Sequence, residues 1–234
     1  MEKSTIEEIR ERFDNDVERF SNLETGQATI VDAKISLEMI TEASKRLVPN
    51  AKNLLDVGCG AGNFTLKMLS KMDALNCTLV DLSGQMLERA YQRVSQVTDK
   101  VQTIQGDIRE VELEENYFDI ILAGAVLHHL RDNNDWETTF GKLYRLLKPG
   151  GCLMISDTVV QDNGIMTEYM WERYEDFLRE FLNEESLQNL RDYIEKEDTP
   201  RSLNYQLDLM KKAGFSSVEI FHKNMSIATF GGIK

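Results

Sequence analysis

The chain has 234 residues, 41% hydrophobic and 29% charged, which suits one large folded α/β domain and excludes a disordered chain. Its 40 acidic against 27 basic residues leave a formal net charge of −13, so phosphate backbones are repelled and no direct nucleic-acid partner is expected. No apolar run reaches a membrane span of roughly 18 residues, the N-terminus Met-Glu-Lys-Ser-Thr has no signal-like apolar segment, and Cys59, Cys77 and Cys152 lie far apart in apolar stretches, which predicts buried thiols in a reducing cytoplasm.

Ser4 or Thr5, each followed three residues later by a glutamate, opens a helix with the stripe Ile6, Ile9, Phe13, Val17 and Phe20. Residues 21–28 have turn character, and a second helix runs over 29–47 before Pro49. Strands are predicted at 52–57, 77–81, 101–105, 117–123 and 151–156, with helices at 62–72, 84–98 and 135–147 between them. This alternation predicts a doubly wound, mostly parallel α/β sheet of seven strands once the C-terminal pair is added.

After the fifth strand the pattern changes. Residues 158–199 are acidic, aromatic and helical, too long for a plain connection, and predict an inserted cap. Its Tyr169, Trp171, Tyr174 and Phe177 either wall an acceptor pocket or form the seam that docks the cap. A helix over 201–213 leads through Gly214-Phe215 to a strand, Ser217 to His222, and Met225 to Phe230 returns antiparallel to it. The chain therefore reads as a single domain: N-terminal helices 1–48, core 49–157, cap 158–199 and C-terminal elements 200–234.

Chemistry gathers at strand ends. Residues 53–64 form a buried strand that passes through Asp56, Gly58, Gly60 and Gly62 into a helix, so a ligand can approach the main chain closely. Asn63 stands where the dinucleotide fingerprint G-x-G-x-x-G needs its third glycine. Asp81 ends the second strand, placed to accept hydrogen bonds from both ribose hydroxyls of a nucleoside. Gly106-Asp107-Ile108 closes the third strand, the fourth continues into Leu127-His128-His129-Leu130, and Leu146-Leu147-Lys148-Pro149-Gly150-Gly151 follows, with the glycines suited to a helix C-terminus.

In this order the segments resemble the class I S-adenosyl-L-methionine (SAM) methyltransferases, closely over residues 50–157 and more loosely over 201–234. The resemblance implies SAM as cofactor and S-adenosyl-L-homocysteine (SAH) as product, with an N-terminal helical lid. It assigns Asp56, Gly58, Gly60, Asp81, Leu82, Met86, Asp107, Ile108 and Ala123 to the cofactor, Asp107 reaching the adenine amino group beside Ile108. A small-molecule acceptor and a cytoplasmic location are expected, and a homodimer is compatible with it.

If the acceptor is a hydroxyl, His128 is the candidate base, since it matches the base histidine of plant small-molecule O-methyltransferases; the other reading of both histidines is packing or hydrogen bonding. His222 reads as structural and Asp157 as a polar strand end. No ligand cluster in the sequence demands a metal, and none is expected. Three alternatives stand beside methyl transfer. A Rossmann dehydrogenase shares Asp81 but lacks the fingerprint at Asn63. The N-terminal helices, Gly214-Phe215 and the last strand also resemble the carboxy-SAM synthases of tRNA wobble-uridine modification, which use a basic residue to hold the added carboxylate; Ser202 to Met210 contains none. The third is a SAM-binding partner subunit without activity.

Overall fold

A computed structural model describes residues 3–22 and 29–234, so residues 23–28 of the turn expected at 21–28 lie outside the described residues. Strand β1 (Asn53–Val57) sits inside a seven-stranded sheet with β2 (Asn76–Asp81), β3 (Val101–Gln105), β4 (Phe118–Gly124), β5 (Leu147–Thr158), β6 (Ser217–Asn224) and β7 (Ile227–Ile233), in the order β3-β2-β1-β4-β5-β7-β6. Pairing is parallel from β3 to β5, and β7 runs antiparallel to both β5 and β6. The order reverses between β1 and β4, which opens a crevice at the strand C-termini where such sheets bind ligands.

All five residues of β1 are buried, and successive side chains feed opposite layers. Leu54, with Leu79 and Ile120, packs under helices α3 (Ala33–Leu47), α4 (Asn63–Leu69) and α5 (Gly84–Val94) through Ile40, Met68 and Ala90. Leu55 and Val57, with Ile121 and Leu153, meet α6 (Asn133–Leu146) and α9 (Leu203–Ala213) through Trp136, Phe140 and Met210. The double cover explains the near-continuous apolar strands.

The expected N-terminal helix is two: α1 (Ile6–Asn15) and α2 (Val17–Ser21). Thr5 and Glu8 form the capping box, and Asp16 leaves helical geometry at φ −111°, ψ 14°. The Leu-Lys-Pro-Gly-Gly segment also differs from expectation. Leu147 is already extended, and Gly150 adopts φ +79° inside β5, whose register slips between the Phe118–Leu147 and Ile120–Cys152 pairs. The glycines thus form a bulge in a strand rather than a helix C-terminus.

The cap is a helix pair, α7 (Gly164–Leu178) and α8 (Glu184–Glu197). Tyr174, Leu178 and Leu187 pack with Val31 and Ile227, joined by Trp171 and Phe177, so three of the four cap aromatics form the docking seam while Tyr169 stays exposed. The three cysteines are buried free thiols. No helix among the described residues is long and apolar enough to cross a membrane.

Candidate active site

The glycine turn takes the shape its residues allow. Gly58 and Gly62 have φ of +61° and +81°; a Cβ at Gly58 would overlap Val126, and one at Gly62 would press on Val94 and Ala90 at 3.2–3.3 Å. Gly60 also lies in the left-handed region, and its N–H donates to Asp81 Oδ2 at 2.8 Å. The Ser83 N–H donates to Asp81 Oδ1 at 2.9 Å, so the carboxylate braces two loops at the crevice. Burial raises the Asp81 carboxyl to about 6, with Asp14 adding to the shift and the backbone donors opposing it.

Asp56 has a different place from the one the resemblance assigned. It is buried behind the turn, where Oδ2 accepts from the Thr65 hydroxyl (2.7 Å) and N–H (3.1 Å), and it lines neither main cavity. Its role is to hold α4 against the turn, and burial lifts it to about 7. Ala123 is likewise fully buried within β4; the cleft wall is made by the next two residues, Gly124 and Ala125.

Two cavities of about 260 and 120 Å³ meet at Gly58, Asp81, Leu82, Val126 and His129. The larger is lined by Asp107 and Ile108 below and by Ser4, Thr5, Ile6 and Ile9 above. Arg109 grips the Asp107 carboxylate, donating from its own N–H at 2.9 Å and from Nε and Nη2; although burial works against the charge, this arginine holds the carboxyl below its usual range. The smaller cavity is lined by Gly60, Met86, Phe64, Phe13 and Phe20.

The first two helices are therefore a lid. Phe13 stacks edge-on against His129 with centroids 5.8 Å apart, and lies 5.6 Å from the Phe20 ring. Asp14 accepts from the Ser83 hydroxyl at 2.5 Å, Asn63 donates to the Phe20 carbonyl at 3.0 Å, and Arg12 pairs with Glu197 of the cap at 2.8 Å. Lid and cap thus close the crevice together.

His128 and His129 separate sharply. His128 lies behind the wall and lines neither cavity. Its Nδ1 meets Asp157 Oδ1 at 2.5 Å, and its Nε2 lies 3.8 Å from Asp198. Burial disfavours its charge, but the two carboxylates outweigh that and raise it to about 9, so it is already protonated near neutrality and unsuited to be the base proposed for it. His129 faces both cavities, and burial together with the neighbouring His128 charge pushes it well below its ordinary value. Asp157 is more than a strand end: its carboxylate also accepts from the Leu127 and His128 N–H groups at 2.7 and 3.2 Å, fixing the short 3₁₀ turn Leu127–His129. Asp198, unremarkable in sequence, arrives from the cap to face both imidazoles. His222 is structural: with Asn224 it holds Asp32 at 2.8 Å.

Residues 54–151 match the sequence family described as a methyltransferase domain. They are a methyltransferase domain of the class I SAM-dependent type. The carboxy-S-adenosyl-L-methionine synthase of Shewanella loihica is 28% identical over 82% of this chain and 79% of its own length. The malonyl-[acyl-carrier protein] O-methyltransferase of Priestia megaterium is 31% identical over 63% of the chain, which spans half of that relative. Among solved structures, phosphoethanolamine N-methyltransferase 2 of Haemonchus contortus in complex with SAM superposes with a TM-score of 0.58 at 25% identity, over 91% of this chain and 46% of that one.

The crevice of this methyltransferase fits SAM on its own geometry. Asp81 presents a buried carboxylate whose backbone donors leave lone pairs for ribose hydroxyls, Gly58 leaves the main chain bare beside it, and Ile108 offers an apolar face beside Asp107.

Proposed function

We propose that this methyltransferase moves the methyl group of SAM to a small-molecule acceptor and releases SAH. The observation that carries this reading is the make-up of the smaller cavity. Phe13, Phe20, Ile30, Phe64, Ala125 and Val126 give it an apolar wall, and among the described residues no Lys or Arg lines it. SAM supplies an electrophilic methyl on a sulfonium whose leaving thioether needs no proton. The chain's task is then alignment and exclusion of water, which the lid aromatics serve.

A carboxylate on the transferred carbon, the product type named for the carboxy-SAM synthase relatives, would meet no cation in this wall. Arg109 and Arg131 line the other cavity and are committed elsewhere, Arg109 to Asp107 and Asp135 and Arg131 to the Glu197 and Ser4 carbonyls. Residues 23–28, Leu-Glu-Thr-Gly-Gln-Ala, hold no basic side chain either. Methyl transfer is favoured for this reason over carboxy-SAM synthesis. The acidic surface and the covered crevice favour a small acceptor over a nucleic acid, and a cytoplasmic enzyme is consistent with three free thiols.

His129, rather than His128, is the imidazole set to meet the acceptor. The test is incubation with SAM and a panel of hydroxyl, amine and thiol acceptors, with SAH measured by mass spectrometry. SAH formation with at least one acceptor is expected, and His129→Ala should lower turnover about 10²-fold by losing positioning while SAH affinity holds. Absence of SAH with every acceptor, or carboxy-SAM found by mass spectrometry as the ligand that copurifies with the protein, would overturn the reading.

A further inference from the structure

Asp198 closes α8 and brings a buried carboxylate against both imidazoles of the strand-four turn. Its Oδ1 lies 3.5 Å from His129 Nδ1 and 3.8 Å from His128 Nε2, and ligand atoms of the three residues all fall within 4.8 Å of one another. These separations are too long for hydrogen bonds. They approach the edges of a tetrahedral shell, which are about 3.3–3.6 Å for metal–ligand bonds of about 2.0–2.2 Å. Asp198 Oδ1 and both ring nitrogens of His129 are buried and make no well-formed hydrogen bond, His129 having only a loose approach to the Glu197 backbone, an expensive state for polar atoms without a ligand.

The surroundings match as well. The Asp157 carboxylate on His128 Nδ1 orients that ring so that Nε2 points at Asp198, the carboxylate–histidine support common behind metal ligands. Three carboxylates (Asp157, Asp198 and Glu197) surround the rings against two guanidiniums (Arg12 and Arg131), and the charge on His128 balances the set, so a metal cation would take the place of the His128 proton. Two imidazoles and one carboxylate select a borderline transition-metal dication over calcium or magnesium, which prefer all-oxygen shells.

We propose that His128, His129 and Asp198 bind a divalent transition-metal ion of the zinc class in the wall of the cofactor crevice. The sequence alone shows no such cluster, because the third ligand comes from the cap. His129 lines the crevice, so an open coordination position there would take water or an acceptor oxygen; that role alone rests on the methyl-transfer reading.

The test uses the full chain after chelator treatment and dialysis, with Zn²⁺ titrated by calorimetry and Co²⁺ followed by its visible absorption. One equivalent is expected, with tetrahedral-type cobalt bands, and Asp198→Ala and His129→Ala should each weaken binding about tenfold or more. A cooperative melting transition, measured without metal, reports whether each variant is folded, and the SAH-induced rise in the wild type's melting temperature reports the cofactor site. Should either fail to fold, Asp198→Asn keeps the shape, removes the charge, and should weaken binding in the same direction. Absence of heat and of cobalt bands in the wild type, or equal binding by wild type and variants, would overturn the proposal. Because SAH binding is read separately, that result leaves methyl transfer untouched.

Discussion

At the residue scale, the crevice depends on buried carboxylates with different jobs. Asp81 faces the crevice, and a charged hydrogen-bond partner contributes about 1.5–3 kcal/mol, so on the proposed ribose contact Asp81→Asn should weaken SAH binding about 10- to 100-fold by calorimetry. The ligand-free carboxyl is raised to about 6, while ribose donors favour its ionised form. SAH affinity should therefore climb as pH rises through about 6 and level off above 7; a flat profile would remove Asp81 from the ribose site. The raised values of Asp56 and Asp81 have the opposite sign for the unliganded fold. Their contribution is full below the unfolded value of about 4 and is lost as pH rises through 6 to 7. Asp157 works on the backbone. Asp157→Ala would orphan the N–H groups of Leu127, His128 and Thr158, each worth about 1–3 kcal/mol when buried. Urea unfolding should show a loss of about 3 kcal/mol or more.

At the element scale, the lid is held by polar contacts more than by core burial: Ile9 is the one buried residue of α1, and α2 has none. The Arg12–Glu197 pair and the Lys3 contacts to the Glu195 and Asp198 carbonyls tie lid to cap. Elements with few buried apolar contacts open locally at low cost, which lets SAM enter without unfolding the sheet. Arg12→Ala should speed amide hydrogen exchange in residues 6–21 and raise the KM for SAM, with exchange in β1 and β4 unchanged. Equal acceleration in the strands would mean that the pair supports the whole fold. The strand–helix alternation, the cap and the antiparallel C-terminal pair were legible in the sequence because each rests on local hydrophobic periodicity. The break at Asp16 and the bulge at Gly150 were not. Phe13 and Phe20 follow one apolar stripe on paper, and the glycines after Pro149 suit a helix end as well as a bulge; packing on the sheet chose between them.

At the scale of the whole molecule, the cofactor choice can be tested without knowing the acceptor. A ligand at about 100 times its Kd adds about 2.7 kcal/mol, and each kcal/mol moves the melting temperature of a domain this size about 2–4 °C. SAH should raise the melting temperature by about 5–10 °C and NAD should not; the reverse would favour a dehydrogenase. The sequence by itself determined the sheet and where its crevice residues fall, since Gly58, Gly60, Asp81 and Asp107 sit at strand ends a few residues from the patterns that define those strands. Only the tertiary structure decided which histidine meets the crevice and what stands behind it. His128 and His129 are adjacent, and their fates diverge because Asp157, from strand β5, captures one ring while the lid's Phe13 packs on the other. Asp198 reaches both across the inserted cap, a contact between distant parts of the chain that no local pattern encodes.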